Sequence, residues 1–179
     1  MKNHFWATFI VALAVVIVVH GFNFKGSVPH FLENTGNQVL LDIKPSFNLD
    51  DTYKRLEDFG VEGRDLYKYR ILTVDVILPL SVFWFLIIFM SKAIEKITLR
   101  RQLRWTLLAL PFGFLIFDFA ENIALYVMIS HYPERMPLLA TILPYFTVVK
   151  RASSLVAIFL PLVLIIYFRF IQRGRGELI

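Results

Sequence analysis

Residues 71–90 carry one charged side chain, Asp75, in twenty positions, and residues 5–22, 105–129 and 138–168 are apolar runs of similar or greater length. About twenty apolar residues at 1.5 Å each match the ~30 Å hydrocarbon thickness of a bilayer. Nothing in that slab can hydrogen-bond a bare peptide group, so each run must satisfy its own backbone as a helix. The expected fold is all-α: a bundle of four transmembrane helices in a single integral membrane domain over residues 1–179. Residues 21–70 form an extracytoplasmic segment between helices one and two. Composition agrees, since 57% of the 179 residues are hydrophobic, more than an ordinary soluble domain holds.

Charge gives the orientation. Lys92, Lys96, Arg100, Arg101 and Arg104 face a single acid, Glu95, between the second and third runs, which marks a cytoplasmic loop. Both termini then lie on the cytoplasmic side, in agreement with Lys2 and with Arg169, Arg173 and Arg175. The net charge of +5 gathers at the ends of apolar runs, where it meets anionic lipid headgroups; nucleic acid is not an expected partner. The first run has the layout of a signal peptide, but Val19-His20-Gly21 is a poor cleavage exit, so it reads as a retained helix. The absence of cysteine excludes disulfide staples and thiol catalysis.

In the polar segment, Gly26, Pro29, Gly36 and Pro45 break the first half, and residues 38–43 read as a short strand or extended chain. Asn48 or Asp50 caps a helix that runs through Phe59 and stops at Gly60. Another helix starts near Val61 and continues without a breaker into the second run, with Arg64, Lys68, Ile71 and Asp75 on one stripe.

Charges inside the apolar runs are the functional signal. Asp118, Glu121 and Asn122 share one helix face, and a charge at bilayer depth costs ~3 kcal/mol even on the lenient insertion scale. That face must turn toward other helices, and Tyr126 continues it outward. Pro79 has no N–H for the carbonyl of Asp75, which leaves a free acceptor beside that carboxylate. The last run holds Pro144, Pro161 and, near its middle, Lys150-Arg151. It is either one long kinked helix or a short re-entrant or interfacial piece over residues 138–149 followed by a crossing from Ala152. As one helix it puts Lys150 about 18 Å from its outer end, close to the depth of Asp118. Thr147, Lys150, Ser154, Ala157 and Pro161 then form a small and polar stripe, and Arg151 points about 100° away to snorkel or to pair with Asp75 or Glu121.

The candidate site is therefore Asp75, Asp118, Glu121 and Lys150 as acid–base groups, with Asn122, Arg64, Tyr126 and Arg151 as binding groups. Lys68, Arg70 and Tyr145 are further members, and the alternative for Asp75 is a bent helix in which it only reaches the interface or pairs with Lys68 or Arg70. His4, His20, His30 and His131 fall near or outside the membrane edges, so neither a metal nor a cofactor is expected. No nucleophile elbow or phosphate loop is visible. Two functions fit. One is binding, or acting on, a lipid-like amphiphile; the other is a non-catalytic scaffold or accessory subunit whose polar cluster only fixes helix packing. Membrane lipids are the expected partners, and a homo-oligomer or a larger membrane complex stays open.

The run Leu56-Glu57-Asp58-Phe59-Gly60-Val61-Glu62-Gly63-Arg64-Asp65-Leu66-Tyr67, Asp75 with Pro79, Asp118-Phe119-Ala120-Glu121-Asn122 and Thr147-Val148-Val149-Lys150 together resemble a family of small four-span bacterial membrane proteins. That family shares a Gly-x-x-Gly-Arg approach helix, an Asp four residues before a Pro, an Asp-x-x-Glu-Asn and a late Lys. The resemblance implies a bacterial inner membrane and singles out these residues, with no reaction to transfer. In topology alone the layout is also similar to emopamil-binding and sigma-2-receptor-type bundles.

Overall fold

A computed structural model describes the backbone of residues 2–95 and 99–176 and the side chains of residues 4–95 and 99–168. Lys96 lies outside the described residues, and the side chains of Lys2, Arg169, Arg173 and Arg175 lie outside the described side chains. The described chain is all-helical: α1 (Lys2–Gly21), α2 (Val28–Asn34), α3 (Leu49–Asp58), α4 (Gly60–Leu72), α5 (Val74–Ile94), α6 (Arg101–Ser130) and α7 (Pro137–Gly176). Four stretches, namely α1, α4 with α5, α6 and α7, are long and apolar enough to cross a membrane.

Helices α5, α6 and α7 pack on one another through Leu86, Phe114 and Ala157, and further along through Met90, Ile94 and Leu107. Gly113 lets α6 approach α7 closely, since a side chain there would stand 3.3 Å from the Ser153 hydroxyl. Helix α1 lies at the periphery and touches α5 through Phe5 and Phe9 against Phe85 and Phe89. Most of its apolar surface stays exposed.

Helices α6 and α7 are 30 and 40 residues long, or about 45 and 60 Å, more than a crossing requires. Their surplus turns stand at the same end and are wrapped by α2, α3 and α4. There Phe31, Leu40, Leu41, Tyr53, Leu56 and Tyr67 pack against Leu125, Met128 and Leu143. The Tyr53 hydroxyl accepts the Met136 N–H at 2.6 Å, and Arg135 pairs with Asp50 at 2.7 Å, so α3 rides on the α6–α7 turn. Helix α7 is continuous from Pro137, so residues 138–149 contain no re-entrant turn.

Three local expectations change. First, the helix expected to run unbroken from Val61 is interrupted at Thr73, whose φ of −124° and ψ of −78° separate α4 from α5. The Thr73 hydroxyl donates to the Tyr69 carbonyl at 2.7 Å, a local bond that competes with regular helix. Secondly, residues 38–43 contain no strand. Leu40 and Leu41 are buried, and guanidinium groups take the local carbonyls in place of a partner strand. Arg55 donates to the carbonyls of Val39 at 2.6 Å and Lys44 at 2.5 Å, and Arg151 to those of Asp42 at 2.9 Å and Ile43 at 2.6 Å. Thirdly, α2 arises in the half read as broken. Ser27 caps it by accepting the His30 N–H, and Pro29 fits its first turn, where no donor is needed. Helix α3 forms as expected, with the Asn48 side chain accepting from Asp50 and Asp51.

The Gly-x-x-Gly-Arg stretch is a packing corner. Gly60 turns the chain at φ +66°, a left-handed conformation that favours glycine. A Cβ on Gly63 would lie 2.6 Å from the buried Thr35 side chain and 3.1 Å from the Cβ of Phe59. Gly63→Ala should therefore lower stability by about 1–3 kcal/mol, readable as a lower unfolding midpoint; an unchanged midpoint would show that Thr35 can yield.

Candidate functional site

Helix α6 turns Asp118, Glu121 and Asn122 inward, all buried, and α7 presents Thr147 and Lys150 to them. The Lys150 ammonium bridges both acids: it stands 3.1 Å from Asp118 Oδ1 and bonds Glu121 Oε2. Thr147 Oγ1 donates to the other Glu121 oxygen, and Asn122 Nδ2 donates to Asp118 Oδ2 at 3.1 Å. All four carboxylate oxygens thus hold a donor. Asn122 also donates to the Asp75 carbonyl at 3.2 Å. This is the acceptor that Pro79 leaves without its helical N–H, so the proline of α5 and the carboxamide of α6 answer one another.

A second polar unit sits at the α4–α5 break. Arg70 Nη2 lies 2.9 Å from Asp75 Oδ1, and Arg70 Nη1 donates to the Gly26 carbonyl at 2.8 Å, tying the α1–α2 linker to α5. Both side chains are almost fully buried, at 3% and 8% exposure. Arg70 Nε and Asp75 Oδ2 are also buried, yet neither has a hydrogen-bond partner among the described residues. Nearby, the Tyr67 hydroxyl donates to Asp42 Oδ1 at 2.6 Å and accepts the Asp42 N–H at 3.3 Å. The Asp42 carboxylate adds its field to Asp75, Asp118, Glu121 and Lys150.

No family model, no curated protein and no solved structure matches the chain. Any functional reading therefore rests on geometry.

An apolar cavity of about 280 Å³ opens between α1 and α5, walled by Ala14, Val15, Val18, Val19, Phe24, Val74 and Ile77. Its walls include none of Arg70, Asp75, Asp118, Glu121, Asn122 and Lys150, although Val74 is the residue before Asp75. Phe24 lies two residues before Gly26, whose carbonyl holds Arg70.

Several expected members lie elsewhere. Arg64 caps the end of α3 by donating to the Leu56 carbonyl at 2.8 Å and covers the Tyr132 ring at 4.1 Å. Arg151 pairs with neither Asp75 nor Glu121, because the turn at residues 42–43 offers its carbonyls closer by. Tyr126 is turned outward at 36% exposure, Lys68 pairs with Asp65, and Tyr145 packs on Phe47. Among the described residues no group of three His, Asp or Glu is arranged to hold a metal ion.

Thr147 and Arg70 stand outside the expected acid–base and binding groups, Thr147 expected only on the Lys150 stripe and Arg70 as one of two alternative partners of Asp75. Thr147 was legible, since it stands three residues before Lys150 and so on the same face. The Arg70–Asp75 pair was less so, because residues five apart diverge by about 140° on an unbroken helix. Only the break at Thr73 brings them together. Chemically the two units differ. The Lys150 group is saturated, whereas Asp75 retains an unengaged oxygen and Arg70 an unengaged donor.

Proposed function

We propose that the chain is an integral membrane protein of a bacterial inner membrane, with both termini cytoplasmic, and that it binds a lipid-like amphiphile beside the α4–α5 break. The basic residues 92–104 support the orientation. Helix α5, with 21 residues, is about as long as the ~30 Å slab is thick, which sets Val74 near the outer boundary. Asn122 and Lys150, bonded at that level, then stand at the rim of the slab instead of deep within it. Charge is less costly at the rim than at the bilayer centre. The surplus turns of α6 and α7, with α2–α4, form an extracytoplasmic cap.

The observation that carries the binding reading is the wholly apolar cavity between α1 and α5, whose wall residue Val74 precedes Asp75 of the buried ion pair in sequence. Ligand sites are walled mainly by apolar side chains. Native mass spectrometry of the protein with its co-purified lipids tests it. Wild type should retain an amphiphile, and Ala14→Trp, which fills the cavity, should lower retention roughly tenfold or more with helix content unchanged. Equal retention by both would end the proposal.

A second reading concerns the Lys150 group alone. Its complete pairing favours a lock that fixes the register of α5, α6 and α7, as a scaffold would use it.

A further inference from the structure

We propose that α1 and α5 seat one anionic phospholipid of the cytoplasmic leaflet, with its acyl chain in a second cavity between them and its phosphate at the mouth, against Lys92 and His4. This rests on the orientation proposed above, with Lys92 at the cytoplasmic face, and is independent of any amphiphile in the outer cavity. The second cavity, of about 230 Å³, is lined by His4 of α1 and by Ile88, Ser91 and Lys92 of α5. It shares no residue with the outer one.

The mouth is basic. Lys92 stands in the last turn of α5, and its half-buried side chain reaches across to α1, where the ammonium lies 4.4 Å from the centre of the Phe5 ring. Its carbon stem can therefore wall an apolar groove while the charge stays at the interface. Among the described residues Lys92 forms no ion pair; Glu95, the acid three residues on, is exposed and does not engage it. The exposed His4 ring adds an N–H donor on the facing helix. A phosphodiester supplies the negative charge and the acceptor oxygens that these groups lack. Basic pockets between crossing helices on the cytoplasmic side hold anionic heads in this way.

The walls point to a lipid as the source of that phosphate. They are almost entirely carbon, which suits an acyl chain and gives free phosphate nothing to bond below the mouth. The groove also continues in the right direction. Val11 follows His4 by seven residues and Trp84 precedes Ser91 by seven, about two helical turns in each case, so both stay on the flank of the cavity and lie deeper in the slab. Both are exposed, at 55% and 58%, and leave an apolar track for the chain. Ile77 of the outer cavity is about 22 Å from the level of Lys92 along α5, beyond the ~15 Å depth of one leaflet. The two cavities therefore fill separately.

The test uses the full-length protein in phosphatidylcholine nanodiscs that carry a minor share of phosphatidylglycerol with a diazirine in its acyl chain, or in parallel the same probe as phosphatidylcholine. Peptides covering residues 4–11 and 84–92 should take about fivefold more label from the anionic probe, the effect of one basic side chain near an anionic head. Lys92→Met keeps the stem and loses the charge, so the two probes should then label alike; Lys92→Arg should keep the preference. Arg101→Gln removes an exposed charge on the same side but outside the cavity, and should also keep it. Equal labelling of these peptides by both probes in wild type overturns the proposal, whatever the variants do. A loss in Arg101→Gln as large as that in Lys92→Met overturns it in favour of diffuse surface charge. Displacement of the anionic probe by inorganic phosphate, at constant ionic strength, overturns the lipid as occupant in favour of the free ion. Label on α6 and α7 with none on residues 4–11 or 84–92 removes this site alone, whereas no label on α1, α5, α6 or α7 removes the membrane reading with it.

Discussion

Lys150→Met is expected to destabilise the fold by about 3–5 kcal/mol. The ammonium is the shared partner of Asp118 and Glu121, both buried, and methionine fills its volume without replacing its charge. Two desolvated carboxylates would then face one another with only Thr147 and Asn122 as donors. The unfolding midpoint in mild detergent reads the loss. Adding Glu121→Gln should recover part of it by removing one of the uncompensated charges, a non-additivity that a double-mutant cycle isolates. If Lys150→Met unfolds like wild type, the acids are not held by that lysine, and the register-lock reading falls. If Glu121→Gln alone abolishes ligand retention with the fold intact, the cluster belongs to the binding site.

Arg70→Met should cost a comparable ~3–5 kcal/mol, since it strips Asp75 of its ion-pair partner among the described residues and removes the donor from the Gly26 carbonyl. The location of the damage distinguishes it from the lysine variant. Hydrogen exchange should accelerate around residues 22–27 and at the start of α5, where Arg70 ties the linker down, while the α6–α7 contact at Thr147 keeps its protection. Uniform loss of protection through α6 and α7 would mean that the two polar units form one cooperative block.

Much of this architecture is local in origin. Runs of some twenty apolar residues specify helices long and apolar enough to cross a membrane, since a bilayer would leave their backbone groups no other partner. Asn48 caps α3 and Gly60 ends the turn that follows it because those residues satisfy needs set within one or two turns of chain. The free carbonyl at Asp75 follows from a proline four residues later. The shared face of Asp118, Glu121 and Asn122 follows from helical period.

Other features depend on pairings far apart in sequence. Which donor takes the Asp75 carbonyl is answered by Asn122, 47 residues away, and which cation meets Glu121 by Lys150, 29 residues away. Arg151 could reach a carboxylate or a turn, and the buried Leu40 and Leu41 settle it by seating that turn beside α7. The Gly-x-x-Gly-Arg stretch looks like a binding motif as a string of letters, but acts as a corner because Thr35 and Leu56 stand next to it.

The number and type of the helices long and apolar enough to cross a membrane, and the presence of a charged band among them, are thus determined by the sequence alone, since hydropathy and period act residue by residue. The division of that band into a saturated lock around Lys150 and an unsatisfied pair at Arg70 and Asp75 is decided only in the tertiary structure. Hydrogen bonds are short and directional, and a break of one residue at Thr73 changes which groups can meet.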